Sequence, residues 1–145
     1  ADLLGAGSEI VAMDRDAGAL ARLARELPLR FPGCVLRTRV ADFRAPLPAG
    51  RFDGVLAANS LHFVEDPIDV LRRARAELRP GGRLIVVEYD ADRGNPWVPH
   101  PFSARTFARL ADAAGFASVR EVGRVPSRFL GAIYAAAADR PDTEA

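Results

Sequence analysis

Apolar runs of strand length alternate along the chain with segments in which apolar residues recur at helical spacing. Four runs are typical of buried parallel strands: residues 10–14, 34–40, 52–58 and 83–88. Three amphipathic segments among and after these runs predict helices that begin near residues 16, 66 and 103. Strands that alternate with helices indicate an α/β fold, with a doubly wound, mostly parallel sheet and helices on both faces.

The predicted helices have suitable residues at their ends. Each start has an acceptor side chain at the N-cap position: Asp16, Asp66 and Ser103. We expect the first helix to end at Pro28 and the turn that follows, the second at Pro80-Gly81-Gly82, and the third at Gly115 in a left-handed cap.

The C-terminal part of the chain departs from a simple parallel pattern. Two further strands are predicted at residues 119–125 and 129–137, and only Pro126-Ser127-Arg128 separates them. So short a connection favours an antiparallel hairpin, which is unusual at the end of a dinucleotide-binding sheet. We expect a single domain over residues 1–138 and a polar tail over residues 139–145.

Composition and charge narrow the classes of partner. The net charge of +1 favours neither nucleic acid nor an anionic membrane surface, and no apolar run approaches the ~20 residues that span a bilayer. The single cysteine, Cys34, cannot form an intramolecular disulfide, and with two distant histidines it predicts no metal site. We therefore expect a cytoplasmic protein.

Five segments carry motifs in a fixed order. They are Ile10-Val11-Ala12-Met13-Asp14, Val40-Ala41-Asp42-Phe43, the stretch from Phe52-Asp53-Gly54-Val55 to Asn59-Ser60-Leu61-His62, Leu78-Arg79-Pro80-Gly81-Gly82-Arg83-Leu84, and Leu110-Ala111-Asp112-Ala113-Ala114-Gly115-Phe116. Together they resemble the class I S-adenosylmethionine-dependent methyltransferases. The resemblance implies a Rossmann-like fold that ends in an antiparallel hairpin, S-adenosyl-L-methionine as the cofactor, and methyl transfer to a small-molecule acceptor.

The glycine-rich cofactor loop of that family has a tempting match at Leu3-Leu4-Gly5-Ala6-Gly7. A strand-helix-strand crossover needs at least ~10–12 residues, whereas only two residues separate Gly7 from the next strand. We therefore interpret Leu3-Leu4 as the end of the family's first helix and Gly5 or Gly7 as its cap, with the central first strand and the glycine-rich loop missing. This interpretation predicts two unpaired inner strand edges, which could self-associate, and weak cofactor binding or inactivity in the isolated chain.

The resemblance also implies which residues contact the cofactor: Asp14, Arg15, Asp42, Phe43, Asn59 and Ser60. Asp14, at the carboxyl edge of the sheet, would accept hydrogen bonds from the ribose hydroxyls, with Arg15 beside the adenine. Asp42 would accept from the adenine amino group, with Phe43 at the ring, while Asn59 and Ser60 would meet the methionine moiety. The purely structural alternatives are a capping Asp14 and a turn Asp42.

Residues that follow the predicted strands are candidates for the acceptor side: His62, Tyr89, Trp97 and His100, with Glu88 and Asp90 as further possible bases. A general base is needed only where the nucleophile arrives protonated. No candidate has a diagnostic spacing, so the catalytic residues stay unassigned. A histidine in such a position is more often a hydrogen-bonded structural residue, and Trp97 either walls an acceptor pocket or packs on its own domain.

Two rival functions follow from the same sequence. A non-catalytic methyltransferase-like module could bind a protein partner through its exposed inner strands. An NAD-dependent dehydrogenase is disfavoured by the closing hairpin and by the lack of a Gly-x-Gly-x-x-Gly motif after a strand. The arginines of the second predicted helix are interpreted as a solvated surface rather than a phosphate or RNA site: Arg72, Arg73, Arg75 and Arg79.

Overall fold

The structure is a computed structural model that describes residues 4–47 and 49–142. The chain divides into two compact units, Ala1–Pro46 and Leu47–Ala145, and each is described by itself. The expectation of one domain over residues 1–138 stays a prediction.

The first unit is a strand-helix-strand crossover. Strand β1 (Glu9–Asp14) leads into helix α1 (Ala17–Arg30), and strand β2 (Val35–Val40) pairs with β1 in parallel. The predicted N-cap is present, because the Asp16 carboxylate accepts the backbone N–H groups of residues 18 and 19 at 2.8 and 3.0 Å. The helix ends at the predicted Phe31-Pro32-Gly33 turn, with Phe31 as its C-cap, but Pro28 does not end it. Pro28 lies within α1, where the proline removes one hydrogen bond close to the C-terminus and the helix continues for two more residues.

A turn precedes β1 in the described part of the chain. Gly5 and Gly7 have φ angles of 77° and 85°, a left-handed conformation that glycine adopts without strain. The Ser8 hydroxyl donates to the carbonyls of Leu4 and Gly5 at 2.9 and 2.7 Å. The predicted helix end at Leu3-Leu4 falls partly outside the described residues, because Leu3 is not among them.

The second unit contains a four-stranded sheet in the order β3-β4-β6-β5. Strand β3 (Phe52–Ala58) pairs in parallel with β4 (Leu78–Tyr89), and β4 pairs antiparallel with β6 (Gly131–Asp139). Helix α2 (Ile68–Glu77) ends before the predicted stop at Pro80-Gly81-Gly82. Those residues lie in β4 instead, because the strand already begins at Leu78, which pairs with Phe52 of β3. The register between the two strands shifts between Phe52 and Gly54.

Helix α2 and helix α3 (Ala104–Ala113) pack against each other and the sheet. A side chain caps α3 as predicted, whereas the N-cap of α2 is Pro67, one residue after the predicted Asp66, and has no side-chain cap. The Asp66 carboxylate accepts the Ile68 N–H at 3.1 Å, and the Ser103 hydroxyl accepts the Thr106 N–H at 3.2 Å. Gly115 takes the left-handed conformation predicted for it, with a φ of 85°.

The C-terminal hairpin is antiparallel as predicted, but its turn lies two residues further along. Strand β5 (Ala117–Ser127) includes Pro126, and residues 128–130 form the turn to β6. Proline is compatible with this strand because β5 is an edge of the sheet, where a ladder hydrogen bond can be absent. The predicted tail begins too early, since Asp139 belongs to β6 and the Arg140 N–H donates to the Gly82 carbonyl at 2.8 Å.

Apolar side chains of the second unit form its core. The largest of the fully buried ones come from both helices and the two central strands: Leu71, Leu78, Leu84, Val86, Phe107 and Tyr134. Within the described residues, no helix has the length and apolar character that a bilayer crossing would require. The result is a Rossmann-like α/β fold with a C-terminal antiparallel hairpin.

Candidate active site

The carboxyl ends of β3 and β4 bring two segments of the second unit together. The two strands are parallel, and Ala58 stands opposite Val87, so the residues that follow each strand meet at the same edge of the sheet. The Asn59 N–H continues the ladder by donating to the Val87 carbonyl at 2.8 Å. A short 3₁₀ helix, Leu61–Phe63, follows at once.

A buried histidine–carboxylate pair lies at this edge. The His62 Nδ1 atom is 2.8 Å from the Glu88 Oε2 atom, and the two side chains are 5% and 0% exposed. Glu88 also accepts the backbone N–H groups of His62 and Tyr89, each at 3.3 Å. A carboxylate with three donors is well compensated for its burial, and it holds the imidazole ring in one orientation.

The free nitrogen of the histidine ring is the chemically useful one. A hydrogen bond from Nδ1–H to Glu88 selects the tautomer whose Nε2 atom carries the lone pair. Within the described part of the chain Nε2 has no hydrogen-bond partner. Its lone pair is therefore available to a donor group that reaches it.

Aromatic rings continue outwards from the histidine. The ring centroids of His62 and Tyr89 are 6.0 Å apart, those of Tyr89 and Phe129 are 5.7 Å apart, and those of Phe129 and Trp97 are 6.4 Å apart. Phe129 lies in the hairpin turn, and no motif or spacing in the sequence singles it out. We call Tyr89, Phe129 and Trp97 the aromatic strip.

The segment between β4 and α3 is fixed at several points. The carboxylates of Asp90 and Asp92 accept the N–H groups of Ala104 and Ser103, each at 2.9 Å. The side-chain oxygen of Asn95 accepts the N–H of Trp97 at 2.9 Å. A Cβ atom on Gly94 would come within 2.1 Å of the Pro99 carbonyl oxygen, so the chain folds tightly on itself here and holds Trp97 in place.

His100 is attached to the site only by its backbone, whose N–H donates to the His62 carbonyl at 2.9 Å. The residue lines an open cleft of about 520 Å³ together with Glu65, Asp66 and Arg109. Its side chain is exposed. The structure therefore brings His62 and Tyr89 together, whereas His100 lines the open cleft.

The candidate cofactor residues of the first unit meet at the carboxyl ends of β1 and β2. Asp14 is exposed, and its Oδ1 atom accepts the Asp16 N–H at 2.8 Å. Asp42 lies two residues beyond Val40, the partner of Asp14 in the parallel ladder. Both carboxylates thus occupy one edge of this sheet, the edge at which open α/β sheets bind ligands.

Asp42 is held as an anion by a nearby arginine. Hydrogen bonds from the Arg44 side chain, and then from its backbone N–H, lower the pKa of the Asp42 carboxyl to about 2, with a smaller contribution from the charge of Arg15. The Arg44 Nε atom lies 3.0 Å from each oxygen of Asp42. The Arg44 backbone N–H and a second side-chain nitrogen also bond to this carboxylate, so these contacts take up its about four acceptor positions, and a further donor would have to share or replace one of them. Phe43 beside it is half-buried.

The two remaining cofactor candidates lie in the second unit. Asn59 is exposed and adopts a φ of 48°, which is rare for a residue other than glycine. Ser60 is half-buried and directly precedes the 3₁₀ helix, without capping it through its side chain. Among the described residues, no group of three or more metal-ligating side chains converges.

The arginines at positions 72, 75 and 79, which the sequence predicts to form a solvated surface, contact groups of the protein. Arg75 donates to the Gly115 carbonyl at 2.8 Å, and Arg72 and Arg79 pair with Asp69 and Asp53 at 3.4 and 2.7 Å. Arg79 lies in β4 rather than in the helix. These contacts agree with the interpretation as a surface that serves the fold.

Comparison with known proteins shows which family the chain belongs to. A family model described as a methyltransferase domain matches residues 1–86. The chain belongs to this family. The predicted resemblance to methyltransferases is thereby confirmed.

Individual relatives differ in what they methylate. The methyltransferase is 32% identical, over 63% of its length, to the reducing polyketide synthase grgA of Penicillium sp. It is 38% identical, over 45% of its length, to the ubiquinone/menaquinone biosynthesis C-methyltransferase UbiE of Hahella chejuensis. The N-methyltransferase NodS of Bradyrhizobium japonicum WM9, solved with S-adenosyl-L-homocysteine, superposes with a TM-score of 0.68 at 19% identity, covering 92% of this chain and 67% of NodS.

The methyltransferase covers 4% of the length of grgA and 26% of UbiE. Family membership supports an enzyme, whereas the comparisons give no support to the alternative of a non-catalytic module that binds a protein partner.

Proposed function

We propose that this methyltransferase transfers a methyl group from S-adenosyl-L-methionine to an acidic carbon atom of a small molecule, with His62 as the general base. The observation that carries the proposal is the buried contact of 2.8 Å between the His62 Nδ1 atom and the Glu88 carboxylate. S-adenosyl-L-methionine supplies a methyl group on a sulfonium, an electrophile with a good leaving group. The residues of the chain must therefore align the acceptor and remove its proton.

The pair has the arrangement that a base needs. Glu88 accepts Nδ1–H, which fixes the tautomer, and its negative charge stabilises the imidazolium that forms when Nε2 takes a proton. As Nε2 accepts the proton, the electron pair of the broken C–H bond becomes available to the methyl carbon. Burial of Glu88 strengthens the attraction because water does not screen it.

An amine acceptor would make such a pair unnecessary, since a neutral amine already has a lone pair. A carbon atom between two carbonyl groups is acidic enough for imidazole to act on it, yet it reacts only after losing the proton. The name of the UbiE relative, a C-methyltransferase, supports a carbon acceptor. We therefore favour a compound with an activated methylene group.

The cofactor residues are part of the same proposal. The exposed Asp14 carboxylate suits a ribose diol, and the Asp42 carboxylate, held ionised by Arg44, suits the adenine amino group. Arg15 and Phe43 would lie beside the adenine, and Asn59 and Ser60 would contact the methionine end. Each chemistry fits the side chain present, and titration of Asp14→Asn with S-adenosylhomocysteine should show weaker binding.

A set of variants tests the base. The full-length protein would receive S-adenosylmethionine and three acceptors: a 3-oxoacyl thioester of N-acetylcysteamine, a phenol and a primary amine. We expect a new C–CH₃ group in the thioester, identified by NMR of the product. His62→Ala should lower kcat by about 10²–10⁴-fold, and Glu88→Gln should lower it by at least about tenfold, since an amide cannot stabilise the imidazolium.

Two controls separate chemistry from folding. His100→Ala removes the other histidine and should keep most of the activity, and S-adenosylhomocysteine should bind the His62→Ala protein with unchanged affinity. Solvent deuterium should enter the thioester methylene faster with the wild-type protein than with His62→Ala, even without cofactor. Methylation of the amine with no loss in His62→Ala would contradict the proposal.

A further inference from the structure

We propose that the aromatic strip of Tyr89, Phe129 and Trp97 binds the apolar chain of the acceptor, and that Phe129 is a specificity-determining residue. This inference rests on the proposed function, and it adds the class of substrate: an activated methylene compound that carries an extended apolar chain.

Continuity with the histidine is the first argument. Each ring of the strip lies within 6.4 Å of the next, and the series starts at the His62 ring. The rings come from three separate segments: the end of β4, the hairpin turn and the connection to α3. A molecule whose reactive carbon meets His62 would therefore find an apolar path leading away from it.

Exposure is the second argument. Trp97 and Phe129 leave 71% and 48% of their surfaces uncovered. Exposed aromatic surface that is contiguous and held in place is typical of a binding site, and aromatic side chains bury much apolar area with little loss of conformational freedom. The Asn95 acceptor and the close packing at Gly94 hold Trp97 in its exposed position.

The location of Phe129 suggests how acceptor choice is set. The residue bridges Tyr89 and Trp97, whereas its turn contributes no side chain to the His62–Glu88 pair. A change at Phe129 can therefore alter the affinity for the chain of the acceptor without altering the proton transfer. Specificity and chemistry lie on different elements of the fold.

Chain-length dependence tests the inference. The full-length protein would be assayed with 3-oxoacyl thioesters of N-acetylcysteamine of increasing acyl length, from four to ten carbon atoms. We expect kcat/KM to rise by up to about fourfold for each methylene group that is buried. Phe129→Ala should flatten this rise, mainly through KM, with a smaller loss of kcat/KM for the shortest thioester than for the longest.

Matched variants test whether the effect is specific to the aromatic ring of Phe129. Val122 is exposed on the same hairpin and lies outside the strip, so Val122→Ala should keep the wild-type dependence on chain length. Phe129→Leu should restore part of it. An unchanged dependence in Phe129→Ala would overturn the inference, and so would an equal loss with short and long thioesters.

A binding measurement keeps this inference separate from the proposed function. Trp97 is the only tryptophan of the chain, so its fluorescence reports on the strip. Titration with decanoyl-N-acetylcysteamine, which has no methylene between two carbonyls and needs no cofactor, should shift the emission to shorter wavelength, and less so in Phe129→Ala. If the emission shifts but no carbon is methylated, the proposed function is wrong, while the aromatic strip is confirmed as an apolar binding site. If the emission does not change, the site fails.

Discussion

A single backbone conformation positions the candidate base. Asn59 adopts a φ of 48° at the point where β3 ends, while its N–H remains bonded to the Val87 carbonyl. The chain can therefore leave the sheet and enter the 3₁₀ helix that carries His62 within three residues. Asparagine tolerates this left-handed region better than most residues, and a β-branched residue tolerates it poorly.

Substitutions at Asn59 should show this requirement. Asn59→Gly is expected to retain the fold and the His62–Glu88 contact, because glycine adopts a positive φ without strain. Asn59→Val should destabilise the protein by about 1–2 kcal/mol and displace His62. Urea unfolding would measure the first effect, and the Nδ1–H resonance of His62 would report the second. Equal stability and identical resonances in both variants would contradict this role.

The contact between His62 and Glu88 could not be predicted from the sequence. His62 was predicted as a candidate, but no spacing connects a histidine to a glutamate 26 positions away. A usable signal was the period of two in β4, where Leu84, Val86 and Glu88 are buried in alternation. A carboxylate on the buried face of a strand requires a partner, and the neighbouring parallel strand is where to seek it.

At the scale of elements, Arg140 closes the C-terminus of α2. Its Nη1 atom donates to the carbonyls of Arg75 and Ala76 at 3.1 and 3.2 Å, and also to that of Leu78. The last carbonyls of a helix have no partner within the helix, and a cation there also interacts favourably with the helix dipole. The residue after β6 therefore secures the helix before β4.

Removal of the Arg140 cap should destabilise the folded protein. Arg140→Ala is expected to lower the free energy of unfolding by about 2–3 kcal/mol, the range for charge-assisted hydrogen bonds to partly buried groups. Arg79→Ala is a matched control, because that guanidinium pairs with Asp53 at an exposed site where both side chains are more than half exposed, and it should cost at most about 1 kcal/mol. Circular dichroism during urea unfolding compares them; equal losses would contradict the capping role.

Element boundaries show what the sequence could and could not predict. Asp16, Ser103 and Gly115 were predicted from chemistry that acts within a few residues, and the structure places each at its predicted terminus. The errors at Pro28 and Pro126 share one cause. Proline was taken to end an element, whereas a helix near its C-terminus and an edge strand both tolerate its missing N–H. Edge position depends on tertiary pairing, which a local pattern does not contain.

At the scale of the whole molecule, the candidate residues divide between the two units. The Ala1–Pro46 unit holds the two carboxylates that we propose for the nucleoside part of the cofactor, and the Leu47–Ala145 unit holds the proposed base and the aromatic strip. The family match over residues 1–86 extends through both. The residues proposed for the cofactor therefore lie within the part of the sequence that the family model matches, whereas Trp97 and Phe129 of the aromatic strip lie beyond it.

Ion pairs at the surface make the stability of the molecule sensitive to acid. Hydrogen bonds from Arg124 lower the pKa of Asp90 and of Glu121, and a hydrogen bond from Arg83 lowers that of Asp139. A carboxyl with a lower pKa in the folded state binds fewer protons than the unfolded chain does. Its stabilising effect is therefore full above the unfolded value and is lost as the pH falls through the folded one.

We expect the free energy of unfolding to change little above pH ~5 and to fall steadily below pH ~4. Arg124→Ala should weaken this dependence, because Asp90 and Glu121 lose the donor that lowers each pKa, and NMR titration should show both values move up towards the ordinary range. Arg128, a neighbour in the hairpin turn, supplies the matched control as Arg128→Ala. Urea unfolding between neutral and acidic pH compares the three proteins. A slope in Arg124→Ala as steep as in wild type would show that the acid sensitivity arises elsewhere.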